Sequence, residues 1–354
     1  MRAQGFAGAE APDIRPLTGG QSNPTFRVRT GRGDFVLRKK PDGVLLPSAH
    51  AIDREHRAMQ ALADSGVPVP RMRAWCGDEA VVGTPFYLME FLDGRVLTDP
   101  SLPDSTPSER AAIYDEMNRV LARLHTVDIQ ALGLQSFGRP GNYVARQVAR
   151  WVGQCERATL PVPAAMRRLM DWLPAHVPSQ TPTCLVHGDY RIDNLVFHAT
   201  EPRILGVLDW ELSTLGDPLA DLAYHCMAWR VTPALWRGIG GLDLAALGIP
   251  DEASYLHTYS QRTGVLPVHW NFYLAYNLFR MAAILHGIAQ RALEGTASAP
   301  DAAQVGAKAG PLAELALEIA GGLAASVPPD NGQPNDPKET SRCNSVPASS
   351  MPPP

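Results

Sequence analysis

The sequence predicts an α+β fold of two lobes, a small β-rich one followed by a larger, mainly α one. Two observations carry this reading. Short β-prone runs bounded by glycine and proline crowd the chain up to about Leu92. From about Ser108 the apolar residues recur instead at helical spacing, as in Ile113, Met117, Val120, Leu121 and Leu124. Between them, Asp93-Gly94 and a proline-containing stretch to Pro107 break both patterns and mark a lobe boundary.

The first strands expected are Pro24 to Thr30 and Asp34 to Lys39, around the hairpin punctuation Gly31-Arg32-Gly33. A helix follows from about Ala49 to Ser65, ended by Gly66 and by Pro68 and Pro70, which cannot continue it. Thr84 to Leu92 is a further apolar strand, and in the helical half strands return only around Cys184 to Asp209. The expected division is 1–92 for the N-lobe, 93–326 for the C-lobe, and 327–354 for a disordered, proline-rich tail with almost nothing to bury. No repeat of solenoid length is visible.

Of the 354 residues, 45% are hydrophobic and 19% charged, as in ordinary globular proteins. With 32 basic and 36 acidic side chains the net charge is −4, which gives no general pull toward nucleic acid or anionic membrane. Five scattered cysteines without a CxxC pair read as reduced thiols rather than a zinc site or disulfide framework. Met1 to Pro12 lacks the pattern of a signal peptide, so a cytoplasmic location is expected. The most apolar helix candidate, Phe272 to Ala289, is interrupted by Arg280 and His286 and reads as core rather than membrane span.

The densest chemical signal is His187-Gly188-Asp189-Tyr190-Arg191-Ile192-Asp193-Asn194, between the apolar runs Cys184-Leu185-Val186 and Leu195-Val196-Phe197. Farther on, the strand Ile204 to Leu208 ends in Asp209-Trp210-Glu211. Phosphoryl transfer needs a carboxylate to orient the attacking hydroxyl and oxygen ligands to hold Mg²⁺ against the phosphates. Asp189 to Asn194 has the D-x-x-x-x-N spacing of kinase catalytic loops, with Gly188 where those carry arginine. One His or Asp at a strand end is usually a turn or cap residue; the combined spacing is what points to catalysis.

The HGD form, the later DWE and Gly216-Asp217-Pro218-Leu219-Ala220-Asp221 resemble the aminoglycoside phosphotransferase and choline kinase superfamily. The resemblance implies a protein-kinase-like fold with a five-stranded antiparallel N-lobe sheet and one helix, and ATP and Mg²⁺ as cofactors. It implies Asp189 as catalytic base, Asn194 and Asp209 as Mg²⁺ ligands, and His187 and Asp221 as braces of the loop. Glu211 and Asp193 read as surface or support residues.

For the nucleotide, Gly19-Gly20-Gln21-Ser22-Asn23 lies just before the first expected strand and resembles the superfamily's first-hairpin loop, whose backbone N–H groups face phosphate. Arg38 stands where kinases carry the lysine of V-A-I-K; strand alternation turns it inward and Lys39 outward, and the opposite register reverses the two. Ile52, Glu55, Met59 and Leu62 share one helical stripe, which buries Glu55 and favours a Glu55–Arg38 ion pair. By the resemblance, Met89 is the gatekeeping side chain, and the backbone near Glu90 and Leu92 meets the adenine edge.

Eleven residues separate Asp209 from Asp221 and no A-P-E follows, so a protein kinase's activation segment does not fit and the acceptor is expected to be a small molecule. Trp270, Tyr273 and Arg280 are candidate acceptor-pocket residues, with Arg280 facing either solvent or a substrate anion. LRKKP, DRE, LVHGDYRIDN and VLDWE look most similar to kinase-like domains related to those fused to acyl-CoA dehydrogenases, which implies a hydroxyacyl-CoA or hydroxy acid acceptor; an aminoglycoside or amino alcohol stays open. Two rival readings are a nucleotide-binding pseudokinase without turnover and a metal-dependent hydrolase using His187, Asp189 and Asp209. The oligomeric state is not written in the sequence.

Overall fold

Short runs with β-branched and aromatic residues, such as Thr25-Phe26-Arg27-Val28 and Phe86-Tyr87, take part in the first sheet. The computed structural model describes residues 11–17, 23–41, 51–179, 182–297 and 299–321. Strands β1 (Asp13–Pro16), β2 (Thr25–Thr30), β3 (Gly33–Lys39), β4 (Met72–Cys76) and β5 (Phe86–Glu90) form one antiparallel sheet in the order β1-β2-β3-β5-β4. Helix α1 (Ile52–Leu62) lies between β3 and β4 in sequence and buries Ile52, Glu55, Ala58, Met59 and Leu62. The expected helix and strands are found with shorter ends, except β3, which begins one residue earlier at Gly33, and β1 is an addition. Its four exposed residues show no alternation, so only backbone pairing marks it. The glycine run 19–20 therefore lies between β1 and β2, not ahead of the first strand.

Beyond Leu92 the chain crosses to the second lobe as β6 (Arg95–Val96), which pairs with β8 (Leu195–Phe197), itself paired with β9 (Ile204–Val207). A second ribbon joins β7 (Cys184–Val186) to β10 (Thr214–Gly216). Helix α2 (Pro107–His125) starts where the Thr106 hydroxyl accepts the Glu109 N–H and Pro107 occupies the first turn. Helices α3 (Tyr143–Glu156), α4 (Ala164–Ala175) and α5 (Pro218–Cys226) follow in chain order. The short α6 (Leu244–Leu247) and α7 (Glu252–Thr263) lead to α8 (Trp270–Leu293), α9 (Ala302–Gly306) and α10 (Ala309–Gly321).

Helix α8 is the centre of this lobe, buried on nearly all sides from Phe272 to His286 and packed against α3, α5 and α10. Among the described residues no helix is long and apolar enough to cross a membrane. The tail expected at 327–354 lies outside the described residues.

The crossing between lobes is tight at Gly94, where a Cβ would lie 2.2 Å from the Phe197 carbonyl oxygen and 2.8 Å from Val196 Cγ1. Gly94→Ala must push β6 off β8. It is expected to lower the unfolding free energy by about 1–3 kcal/mol, the usual cost of overpacking, as read from urea denaturation.

Candidate active site

The loop after β7 is fixed from below by a single buried carboxylate. Asp221, in the first turn of α5, accepts the His187 N–H on Oδ2 at 2.7 Å and the Gly188 N–H on Oδ1 at 2.8 Å. His125, at the end of α2, contacts the same Oδ2 through Nε2 at 3.1 Å, and its Nδ1 lies 2.6 Å from the Tyr259 hydroxyl. Burial would push the Asp221 carboxyl up, but the hydrogen bond and charge of His125 and the His187 N–H outweigh it and hold the group below its ordinary value. Glycine at 188 has a local cause: φ is +83°, and a Cβ would sit 2.9 Å from the Leu212 carbonyl oxygen.

His187 ties this loop to the next segment. Its Nδ1 accepts the Asp189 N–H at 3.2 Å, so the proton sits on Nε2, which donates to the Leu208 carbonyl at 2.9 Å. The Leu208 N–H donates to the Asn194 carbonyl at 2.8 Å. One peptide thus brings Asn194 beside Asp209, whose backbone is left-handed (φ 65°, ψ 58°). The Asn194 amide nitrogen donates to Asp189 Oδ2 at 3.0 Å and to the Asp189 carbonyl at 2.9 Å, while the Tyr224 hydroxyl donates to Asp189 Oδ1. Asp189, Asn194 and Asp209, chosen by spacing, are therefore neighbours in space.

The first lobe reaches this cluster through Arg38, the inward residue of the pair 38–39. Its Nη2 lies 2.8 Å from Asp209 Oδ1, and its Nε 3.0 Å from Glu55 Oε2. The Asn23 amide also donates to Glu55, at 2.9 Å, and the Tyr87 hydroxyl at 2.7 Å. Burial pushes the Glu55 carboxyl up to about 7 against the pull of Arg38 and Tyr87. On Arg38 burial acts downward, and the carboxylates of Glu55 and Asp209 overcome it and hold the guanidinium above its ordinary value. Every polar partner of Glu55 named here presents N–H or O–H groups to it, which favours the ionised form of the pair against the burial.

Carboxylate oxygens of Glu55, Asp209 and Glu211 lie within 4.8 Å of one another. Asn194 and Asp209 offer oxygen donors of the kind a hard cation such as Mg²⁺ takes, and the residues fit that ion. Glu211 adds a carboxylate that the sequence reading set aside as support. Gly20, Gln21 and Ser22 lie outside the described residues. Asn23 is turned into the Glu55 cluster. Met89 is buried in β5 opposite Val36, the Glu90 N–H donates to the Arg71 carbonyl at 2.9 Å, and Leu92 sits against Gly206 of β9.

A cavity of about 700 Å³, including its open mouth, is lined in part by Tyr224, whose hydroxyl donates to Asp189. Its walls include Tyr114, Met117, Trp229, Trp236, Leu278 and Met281, and its polar groups are Thr98, Arg191, Asp193, Tyr224, His225 and Arg237. Asp193 pairs with both Arg191 and Arg237. Burial pulls the His225 imidazole down to about 4, so it is neutral. Trp270, Tyr273 and Arg280, expected around an acceptor, are not among the residues that line this cavity. Trp270 donates to Glu252 at 3.0 Å and Tyr273 to Asp217 at 2.8 Å. Arg280 is buried, donates to the Gly188 carbonyl at 2.7 Å and lies over the Tyr224 ring. Tyr224 and His125 were missed. Helix α5 joins Tyr224 to the site, three positions after Asp221, and no local pattern marks His125.

Residues 13–259 match the model of the phosphotransferase enzyme family. Acyl-CoA dehydrogenase family member 10 of Mus musculus is 51% identical over 304 residues, covering 85% of this chain and 28% of that protein. The chain thus spans little more than a quarter of that relative's length, and 39% of a probable acyl-CoA dehydrogenase of Arabidopsis thaliana that it matches at 43% identity. A crystal structure of a Ralstonia eutropha protein, assigned provisionally as an aminoglycoside phosphotransferase, is 53% identical with a TM-score of 0.83, covering 91% of this chain and 96% of that one.

Because Asp221 titrates below its ordinary value, its contribution is fully present above the unfolded pKa of about 4 and is lost as pH falls through the lower folded value. Asp221→Asn is expected to cost about 3 kcal/mol near neutral pH. Urea unfolding of both proteins should show that gap held from pH 6 down to about 4 and narrowing only below it; narrowing between pH 6 and 5 contradicts the assignment.

Proposed function

The chain belongs to the phosphotransferase enzyme family, and we propose that it is a small-molecule kinase that moves the γ-phosphoryl group of ATP to a hydroxyl of its acceptor, with Asp189 as the base. The observation that carries this reading is the Asp189 carboxylate, held by Asn194 and by the cavity-lining Tyr224, with Leu208, bonded to the Asn194 carbonyl, placing Asp209 next to it. Mg²⁺, when bound, neutralises phosphate charge, and Asn194 and Asp209 would hold it. Backbone N–H groups of Gly20, Gln21 and Ser22 would meet the phosphates, and Arg38, fixed by Glu55, would offer a guanidinium. Adenine would lie by Met89, Glu90 and Leu92. Asp189 would accept the proton of the acceptor hydroxyl, which the cavity walls orient and shield from water.

The cavity also bears on the acceptor. Its lining is mainly apolar, its two arginines outnumber its one aspartate, and that aspartate is already paired. A polycation finds no free carboxylate there among the described lining residues. This supports an acceptor with an apolar body and a neutral or anionic group, a hydroxy acid or hydroxyacyl-CoA, over an aminoglycoside or amino alcohol. The acyl-CoA dehydrogenase names of the curated relatives point the same way. A cytoplasmic setting agrees with the free thiols of Cys76, Cys155, Cys184 and Cys226.

Asp189→Asn is expected to keep Mg·ATP affinity, measured by calorimetry, while phosphate transfer falls roughly 10²–10⁴-fold, the scale for removing a positioned base. Unchanged transfer in that variant sinks the assignment of the base.

A further inference from the structure

The geometry points to Tyr224 as a positioning residue for phosphoryl transfer: its hydroxyl holds the Asp189 carboxylate in the orientation from which it meets the acceptor. The inference rests on the proposed role of Asp189 as base. Asp189 sits in an irregular loop, with its side chain about one-fifth exposed. Its short side chain is free to swing toward Arg191, whose Nε lies 3.8 Å from Oδ1. Two tethers oppose this. Asn194 holds Oδ2 from five residues along the same segment. Tyr224 holds Oδ1 from α5, the helix whose Asp221 anchors the loop backbone. Residues three apart on a helix share a face, so one rigid element fixes both the backbone and the side chain of the base.

Tyr224 is itself held in place. It is 7% exposed, and the Arg280 guanidinium lies 4.8 Å from its ring centroid while donating to the Gly188 carbonyl. The hydroxyl remains a donor, because burial and then the Asp189 charge push its pKa well above the ordinary tyrosine value. Each carboxylate oxygen has about two acceptor positions, so a Tyr224 bond on Oδ1 leaves room for the hydroxyl of an acceptor. Since Tyr224 also lines the cavity, it stands where acceptor and base meet.

Tyr224→Phe removes only the hydroxyl and tests this. The expected result is a kcat lowered roughly tenfold or more, with KM for ATP and for the acceptor, and the melting temperature, near wild type. On an Asp189→Asn background the same change should lower residual transfer by less than about twofold, since its target is gone. A wild-type kcat, a loss confined to acceptor KM, or a loss that multiplies fully with that of Asp189→Asn would overturn the proposal. Transfer that survives Asp189→Asn alone would instead overturn the base assignment beneath it.

Discussion

The site depends first on the buried carboxylate of Asp221. The segment that opens the loop, His187 to Arg191, lies outside helix and strand, and Asp221 supplies a constraint on it by accepting two consecutive backbone N–H groups. Those bonds set the turn at Gly188, where only glycine fits. The turn directs His187 onto the Leu208 carbonyl, and the Leu208 N–H in turn fixes Asn194. A buried carboxylate is costly unless its acceptor positions are filled; here two amides and an imidazole fill them. The same helix carries Tyr224, so the orientation of α5 propagates to the Asp189 side chain.

A second constraint joins the lobes. Arg38 contacts Glu55 on α1 and Asp209 at the end of β9, so its guanidinium spans both halves of the molecule. A planar fork does this more readily than an ammonium, which gives a physical reason for arginine at this strand position. Burying an ion pair has a desolvation cost that often cancels its attraction. The added bonds from Asn23 and Tyr87 to Glu55 offset part of it. The pair thus reads as a geometric link rather than a source of net stability.

Features set by local periodicity or spacing were legible in the sequence. Helical spacing put Glu55 on the buried face, strand alternation turned Arg38 inward, and the distance from Asp189 to Asn194 marked the loop. What escaped reading depends on contacts between distant segments. His125 and Asp221 are far apart in the chain yet meet inside it, and nothing near His125 marks that. Arg280 was expected to face an anion or solvent; it is buried, with Nη2 on a carbonyl and its guanidinium over an aromatic face, and its Nε has no hydrogen-bond partner among the described residues. The edge strand β1 has no hydrophobic face, so its pairing leaves no pattern.

The account therefore joins a rigid transfer site to a mainly apolar cavity. Its central claim is that phosphate leaves ATP for a hydroxyl of a small molecule. The most direct measurement is incubation with γ-labelled ATP, Mg²⁺ and fractionated cell extract, with labelled products identified by mass. The account predicts label on the hydroxyl of a small acid or thioester. Bound nucleotide with label only on ATP or inorganic phosphate, across all fractions, contradicts it.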